Sequence, residues 1–282
     1  MAPSGLAIIL GAGPAAGAGI ARVLASPAEG NLAVALLSRT GDAQLATEIS
    51  KLSGGGVLKA FQTDTSEDRL RSTFEDIKTW TRSLPKSDDG QSLRLKLSVF
   101  NIKHSHKVPF AEETPTRFTE SLTVYTTGAM IFSQLSINWM LSQSSQSSDD
   151  KPEAFIPLHK AGTVIFTSSL GSMRSNAGFA AYGATRAGVR MLAQSLAREY
   201  SSKGIHVVHA IGNGWITNNY DESYLDSDLN DGAKENTDDT KAVLEGKKIK
   251  GASVGKLYLG LMQQACDLWV HELDMRPAGE PF

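Results

Sequence analysis

LAIILGAGPAAGAGI, residues 6–20, decides how the rest of the chain is read. Leu6–Leu10 is a short, continuously apolar run, the pattern of a strand buried on both faces. A glycine-rich turn follows, and a helix is expected to about Leu24. Glycines at 13, 17 and 19 give GxxxGxG where the strand passes into the helix. In a nucleotide-binding turn of this kind, one glycine permits the tight turn and one lets backbone approach a pyrophosphate. A third lets the helix pack close to the sheet. The helix N-terminus adds free N–H groups and a partial positive charge. Gly11, Gly13, Gly17, Ala18, Gly19 and Ile20 are therefore the candidate contacts on the phosphate side.

Outward from this turn, strand and helix patterns alternate. The runs Leu32–Leu37, Val57–Phe61, Leu93–Asn101, Gly162–Ser169, Ile205–Ile211 and Leu268–Leu273 predict further strands. Helices are predicted over Asp42–Leu52, from a Ser66-Glu67-Asp68 cap through Trp80, and over Thr116–Ser142, Tyr182–Tyr200 and Val254–Gln264. Repeated β-α units give a parallel sheet covered by helices on both faces. The expected fold is a Rossmann-type, doubly wound α/β/α sandwich, one dinucleotide-binding domain over residues 1–282. Two segments break the pattern. Gln143–Lys160 is polar and reads as a surface insertion. Thr217–Gly251 is long and charged and follows the carboxyl end of a sheet strand, the place for a substrate lid.

Composition narrows the function classes. Of 282 residues, 41% are apolar and 21% charged, which excludes wholesale disorder. The net charge of −2 offers no basic field for a nucleic acid. One cysteine, Cys266, can form neither an internal disulfide nor a thiolate metal cage, and the six histidines show no metal-site spacing. No run is long enough to span a membrane, and the apolar start lacks a basic leader, so a cytoplasmic location is expected.

Arg39 stands just past the second predicted strand, where a dinucleotide fold holds the adenosine ribose. An acidic residue there selects a 2′-hydroxyl. An arginine flanked by the Ser38 and Thr40 hydroxyls suits a 2′-phosphate, so the expected cofactor is NADP(H). Asp64-Thr65, after the third strand, are placed to cap the adenine edge.

These residues, together with GTVIFTSSLGSMRSNAGFAAYGATRAGVRMLAQSLAREYSSKGIHVVHAIGNGWI (Gly162–Ile216), resemble the short-chain dehydrogenase/reductase family over nearly the whole chain. The family has a serine ending the fifth strand and a YxxxK motif thirteen residues on, and Ser169 and Tyr182 stand thirteen apart. The resemblance implies Tyr182 as proton donor, Ser169 orienting a substrate oxygen, and the Tyr+4 residue on the nicotinamide ribose. It further implies cofactor contacts at Asn101, Ile102, Gly214 and Ile216. The sequence departs from the family at several points. Tyr+4 is Arg186, the relay asparagine of the long helix is Tyr125, and the turn after the fourth strand reads Phe100-Asn101-Ile102-Lys103. The closing HELDMRP, from His271, is similar to a divergent subgroup with incomplete tetrads, some of it in fungal secondary metabolism.

Arg186 keeps a positive charge but cannot relay a proton. The leading expectation is an NADP(H)-dependent reductase acting on a carbonyl or imine. A non-redox isomerase, cyclase or dehydratase on the same fold, and a non-catalytic cofactor-binding protein, are the alternatives. Lys103, His104 and His106 are further candidates for substrate contact. The stripe Ala187, Met191, Leu192, Ser195 and Leu196, with the long helix before it, predicts a homodimer or homotetramer through the fourth and fifth helices.

Overall fold

The computed structural model describes residues 2–85, 92–143, 158–218 and 238–280. Nine strands and eight α-helices are assigned there: β1 Leu6–Leu10, α1 Ala16–Ala25, β2 Ala33–Ser38, α2 Ala43–Leu52, β3 Leu58–Gln62, α3 Glu67–Ser83, β4 Leu95–Phe100, α4 Pro115–Ser121, α5 Gly128–Ser142, β5 Gly162–Ser169, α6 Ala180–Tyr200, β6 Ile205–Gly212, β7 Ile216–Thr217, α7 Asp238–Leu244, β8 Ile249–Lys250, α8 Gly251–Gln263 and β9 Glu272–Met275.

Seven strands form one sheet in the order β3-β2-β1-β4-β5-β6-β9, every pairing parallel. The chain leaves β1 to one side for β2 and β3, then returns to the other side for β4. That reversal opens a crevice at the carboxyl ends of β1 and β4, where doubly wound sheets bind ligands.

Period-two alternation divides the core. Leu6, Ile8 and Leu10 face a layer built from α3, α5 and α6, with Phe74, Phe132 and Val189 wholly or almost wholly buried. Ala7 and Ile9 face α1, α2 and α8, with Ile20, Ile49 and Tyr258. Helix starts follow local chemistry. Asp42 caps α2 by accepting from the Leu45 amide at 2.9 Å, and Pro115 opens α4 behind a Thr114 cap.

Several boundaries differ from the sequence reading. The last strand is Glu272–Met275 rather than Leu268–Leu273, because only those four residues pair with β6. Leu268 is exposed, and Trp269 stacks on His206 instead of joining the sheet. Ser66 does not cap α3 with its hydroxyl, which is given to Asp64 at 2.5 Å. The long fourth helix is interrupted by a π-helical turn over Leu122–Thr127. Residues 238–250, read as lid, hold α7 and β8; β8 pairs with β7, and Asp239 accepts from Thr217 Oγ1 at 2.6 Å and from Lys248. Gly251, its predicted end, opens α8. The rest of that segment, residues 219–237 with its acidic half, and residues 144–157 of the predicted insertion lie outside the described residues.

Candidate active site

The glycine turn is closed by its neighbours. Gly11 adopts φ +95°, a left-handed conformation that glycine tolerates best. Its carbonyl accepts from Asn101 Nδ2 at 2.9 Å, which ties the end of β4 to the turn. A Cβ on Gly13 would meet nothing within 4 Å, so that position faces open space. One on Gly17 would lie 2.8 Å from Ala12 Cα. One on Gly19 would lie 2.2 Å from the Gly251 carbonyl carbon. The third glycine therefore lets α1 pack on α8, not on the sheet as predicted. Helix α1 begins without a side-chain cap and without an acidic residue in its first turn. The side chains of Ala18 and Ile20 belong to the core, which leaves ligand contact there to their backbone.

Just past β2, Arg39 is exposed and its carbonyl accepts from Gln62 Nε2 at 3.0 Å. No described carboxylate forms an ion pair with its side chain. Ser38 Oγ accepts from the Gly41 amide at 3.1 Å and lies 3.3 Å from Thr40 Oγ1. Asp64 Oδ1 takes both the amide and the hydroxyl of Ser66, which holds its carboxyl below the usual range. Thr65 packs against Gly128 at the start of α5.

The candidate reactive groups converge at the carboxyl edge of β5. Ser169 is its last residue and Tyr182 lies in the first turn of α6, and their hydroxyl oxygens are 2.8 Å apart. The turn after β5 brings Gly171 so close that a Cβ there would sit 2.5 Å from Tyr182 Cε1. Phe179 meets the Tyr182 ring edge to face at 5.5 Å.

One helical turn on, Arg186 is almost fully buried. Its guanidinium carbon lies 3.7 Å from the Tyr182 ring centre and 4.0 Å from that of Tyr125. One terminal nitrogen donates to Thr185 Oγ1 at 3.0 Å and the other to the His104 carbonyl. Tyr125 is presented from the π-helical turn, and its hydroxyl donates to the Thr167 carbonyl at 3.3 Å. Burial raises the pKa of that phenol, opposed by the Arg186 charge. Two of the positions at which the sequence departs from the family motif, Tyr125 and Arg186, thus form one stack with Tyr182.

The loop after β4 completes the site. His104 Nε2 lies 3.1 Å from Ser121 Oγ; burial, then the Arg186 charge, lowers its pKa. His106 Nε2 is 3.0 Å from both oxygens of Glu113. Lys103 is exposed, and Ile102 packs against the core. Gly214 adopts φ +154° against Pro277, and Ile216 packs against the core. Lys107 was missed by the sequence reading. Its Nζ stands 4.4 Å from the Phe179 ring centre and 5.0 Å from that of Tyr182. No spacing rule links residues 107, 179 and 182, so only the fold reveals the contact. Among the described residues no group of three or more His, Cys, Asp or Glu could hold a metal, and no helix is long and apolar enough to cross a membrane.

Comparison with known proteins identifies the family and the fold. The profile described as short chain dehydrogenase matches residues 5–224, and the chain belongs to that family of oxidoreductases. No curated protein matches the chain. A short-chain dehydrogenase from Rhodopseudomonas palustris is 25% identical, with a TM-score of 0.67 over 97% of this chain and 99% of that one. An alcohol dehydrogenase from the archaeon Thermococcus sibiricus, complexed with 5-hydroxy-NADP, shares 16% identity and a TM-score of 0.69 over 98% of each chain. A 3-oxoacyl-[acyl-carrier protein] reductase from Brucella melitensis, in complex with NAD, shares 18% and 0.65 over 93% of this chain and 90% of that one. The latter two likenesses establish the fold, and between them those proteins hold both kinds of nicotinamide nucleotide.

Proposed function

We propose that the protein is an NADP(H)-dependent reductase that transfers hydride to a carbonyl or imine of a small organic substrate. The observation that carries this reading is the 2.8 Å contact between Ser169 Oγ and Tyr182 Oη, at the sheet edge that also bears the glycine turn. The residues suit a dinucleotide phosphate: Gly13 faces open space, α1 starts without an acid, and Arg39 has no described carboxylate on it. A nicotinamide bound at this edge supplies the hydride.

This chain's own residues do the rest. Ser169 holds the substrate oxygen by a hydrogen bond. Tyr182 gives its proton to that oxygen, or to an imine nitrogen, as the new C–H bond forms. Arg186 touches neither atom in this role. Its charge lies against the Tyr182 ring and holds that ring in place. The exposed Ala187, Met191 and Ser195 on α6 and Met130 on α5 suit the surface of a homo-oligomer.

Titration with NADPH and NADH tests the cofactor. NADPH is expected to bind at least tenfold more tightly than NADH, with the difference lost in Arg39→Ala. Equal binding of the two by the wild type rejects the 2′-phosphate role. Tyr182→Phe is expected to keep NADPH binding and lower turnover by about 10²–10⁴. Turnover within threefold of wild type removes Tyr182 as the proton donor.

A further inference from the structure

We infer that the substrate carries a carboxylate and that Lys107 is the residue that holds it; this rests on the reductase reading of the site. The first observation is the placement of Lys107. Its ammonium sits over both Phe179 and Tyr182, beside the ring whose hydroxyl meets Ser169. Two aromatic faces hold the charge at the wall of the site, where a free lysine would swing into solvent. The backbone next to it is fixed, since the Val108 amide donates to the Gly178 carbonyl at 2.9 Å. His106, on its other side, is anchored on Glu113.

The second observation is the charge of the two loops that frame the hydroxyls. Residues 101–111 carry Lys103 and Lys107 and no acid, and residues 169–190, the loop after β5 with the first turns of α6, carry Arg174, Arg186 and Arg190 and no acid. Of these, Arg190 is neutralised by Glu272. Glu112, the nearest acid after the first loop, is exposed, and Glu113 beside it is engaged by His106 and the Thr114 amide. Arg186 has only neutral acceptors. The mouth is therefore cationic in a chain whose net charge is −2, and it attracts anionic ligands. Of these cations, Lys107 is exposed, lies over the Tyr182 ring and has no carboxylate partner among the described residues. Phe179 offers an apolar wall beside it. An oxo acid fits this set: its ketone oxygen goes to Ser169 and Tyr182, and its carboxylate to Lys107.

Binding of 4-oxo-4-phenylbutanoate and of its methyl ester, measured by calorimetry with and without NADP⁺, tests this. The acid is expected to bind about tenfold more tightly than the ester. The preference falls to within twofold in Lys107→Met and persists in Lys103→Met, and it shrinks as salt is raised. Equal binding of acid and ester by the wild type, binding of neither, or a preference that survives in Lys107→Met overturns the proposal. NADPH oxidation is followed separately. A carboxylate preference that depends on Lys107 without any turnover leaves the subsite standing and removes the reductase reading.

Discussion

Arg186 and Arg190 lie one turn apart on α6, and the fold treats them in opposite ways. Arg190 is about a quarter exposed and forms two 2.7 Å hydrogen bonds to Glu272, joining α6 to the edge strand β9. The same carboxylate lies 3.1 Å from His209 Nδ1. Arg186 is 4% exposed and has no carboxylate within ion-pair distance among the described residues. Its charge rests between two tyrosine rings and on neutral acceptors. Burying an ion costs several kcal/mol, and an unpaired one recovers only part of that through cation–π contact and hydrogen bonds. A neutralised arginine serves stability. An arginine left without a counterion keeps its field for the groups beside it, and here those groups are the Tyr125 and Tyr182 rings.

Replacing each charge breaks the comparison in a different quantity. Arg186→Met keeps most of the volume and removes the charge. Turnover is expected to fall by about 10–10³-fold, with Tm unchanged or raised. A large fall in Tm with turnover intact would make Arg186 a plain packing residue. Glu272→Gln acts in the other sense. It weakens the clasp on Arg190 and His209 and is expected to cost about 1–3 kcal/mol of stability, read from denaturant midpoints, while turnover per folded molecule stays within twofold. Loss of turnover at unchanged stability would show that the edge network reaches the site.

A third test lies in the pH dependence of stability. His206 is fully buried between Val270 and Leu261 and stacked on Trp269, with Lys160 and His271 as its charged or titratable neighbours. Burial is the main cause of its lowered pKa, about 4. The folded state thus keeps it neutral where the unfolded chain takes up a proton. Stability should decline as pH falls from about 6.5 toward about 4, by at most about 1.4 kcal/mol per pH unit for this one group. His206→Gln should flatten that slope, and an unchanged slope would assign it to other groups such as His104 or His209.

Most of the architecture was legible in local pattern. Leu6–Leu10, Gly162–Ser169 and the start of β6 stand where the apolar runs put them, because central parallel strands are buried on both faces and advertise it. The edge strand was misplaced. Leu268–Leu273 looks apolar, yet β9 is half exposed and its register is set by pairing with His209–Gly212. The pairing of α1 with α8 was equally hidden, since Gly19 and Gly251 are 232 positions apart. At the site, Ser169 and Tyr182 were singled out by their spacing. Lys107, Gly171 and Phe179 were not, because their relation to Tyr182 exists only once the loops after β4 and β5 fold over the same edge.

The sequence by itself determined the alternation of strands and helices, the glycine turn and the thirteen-residue interval from Ser169 to Tyr182. Each of these is set within one or two neighbouring elements, where periodicity and residue type act over short separations. Only the tertiary structure decided that Arg186 stacks on Tyr125 and Tyr182, that the third glycine serves a helix–helix contact, and that one arginine of α6 is neutralised and the next is not. Those outcomes depend on which groups from distant segments share a buried volume, and the strength of a charge there is fixed by its partners and its distance from water.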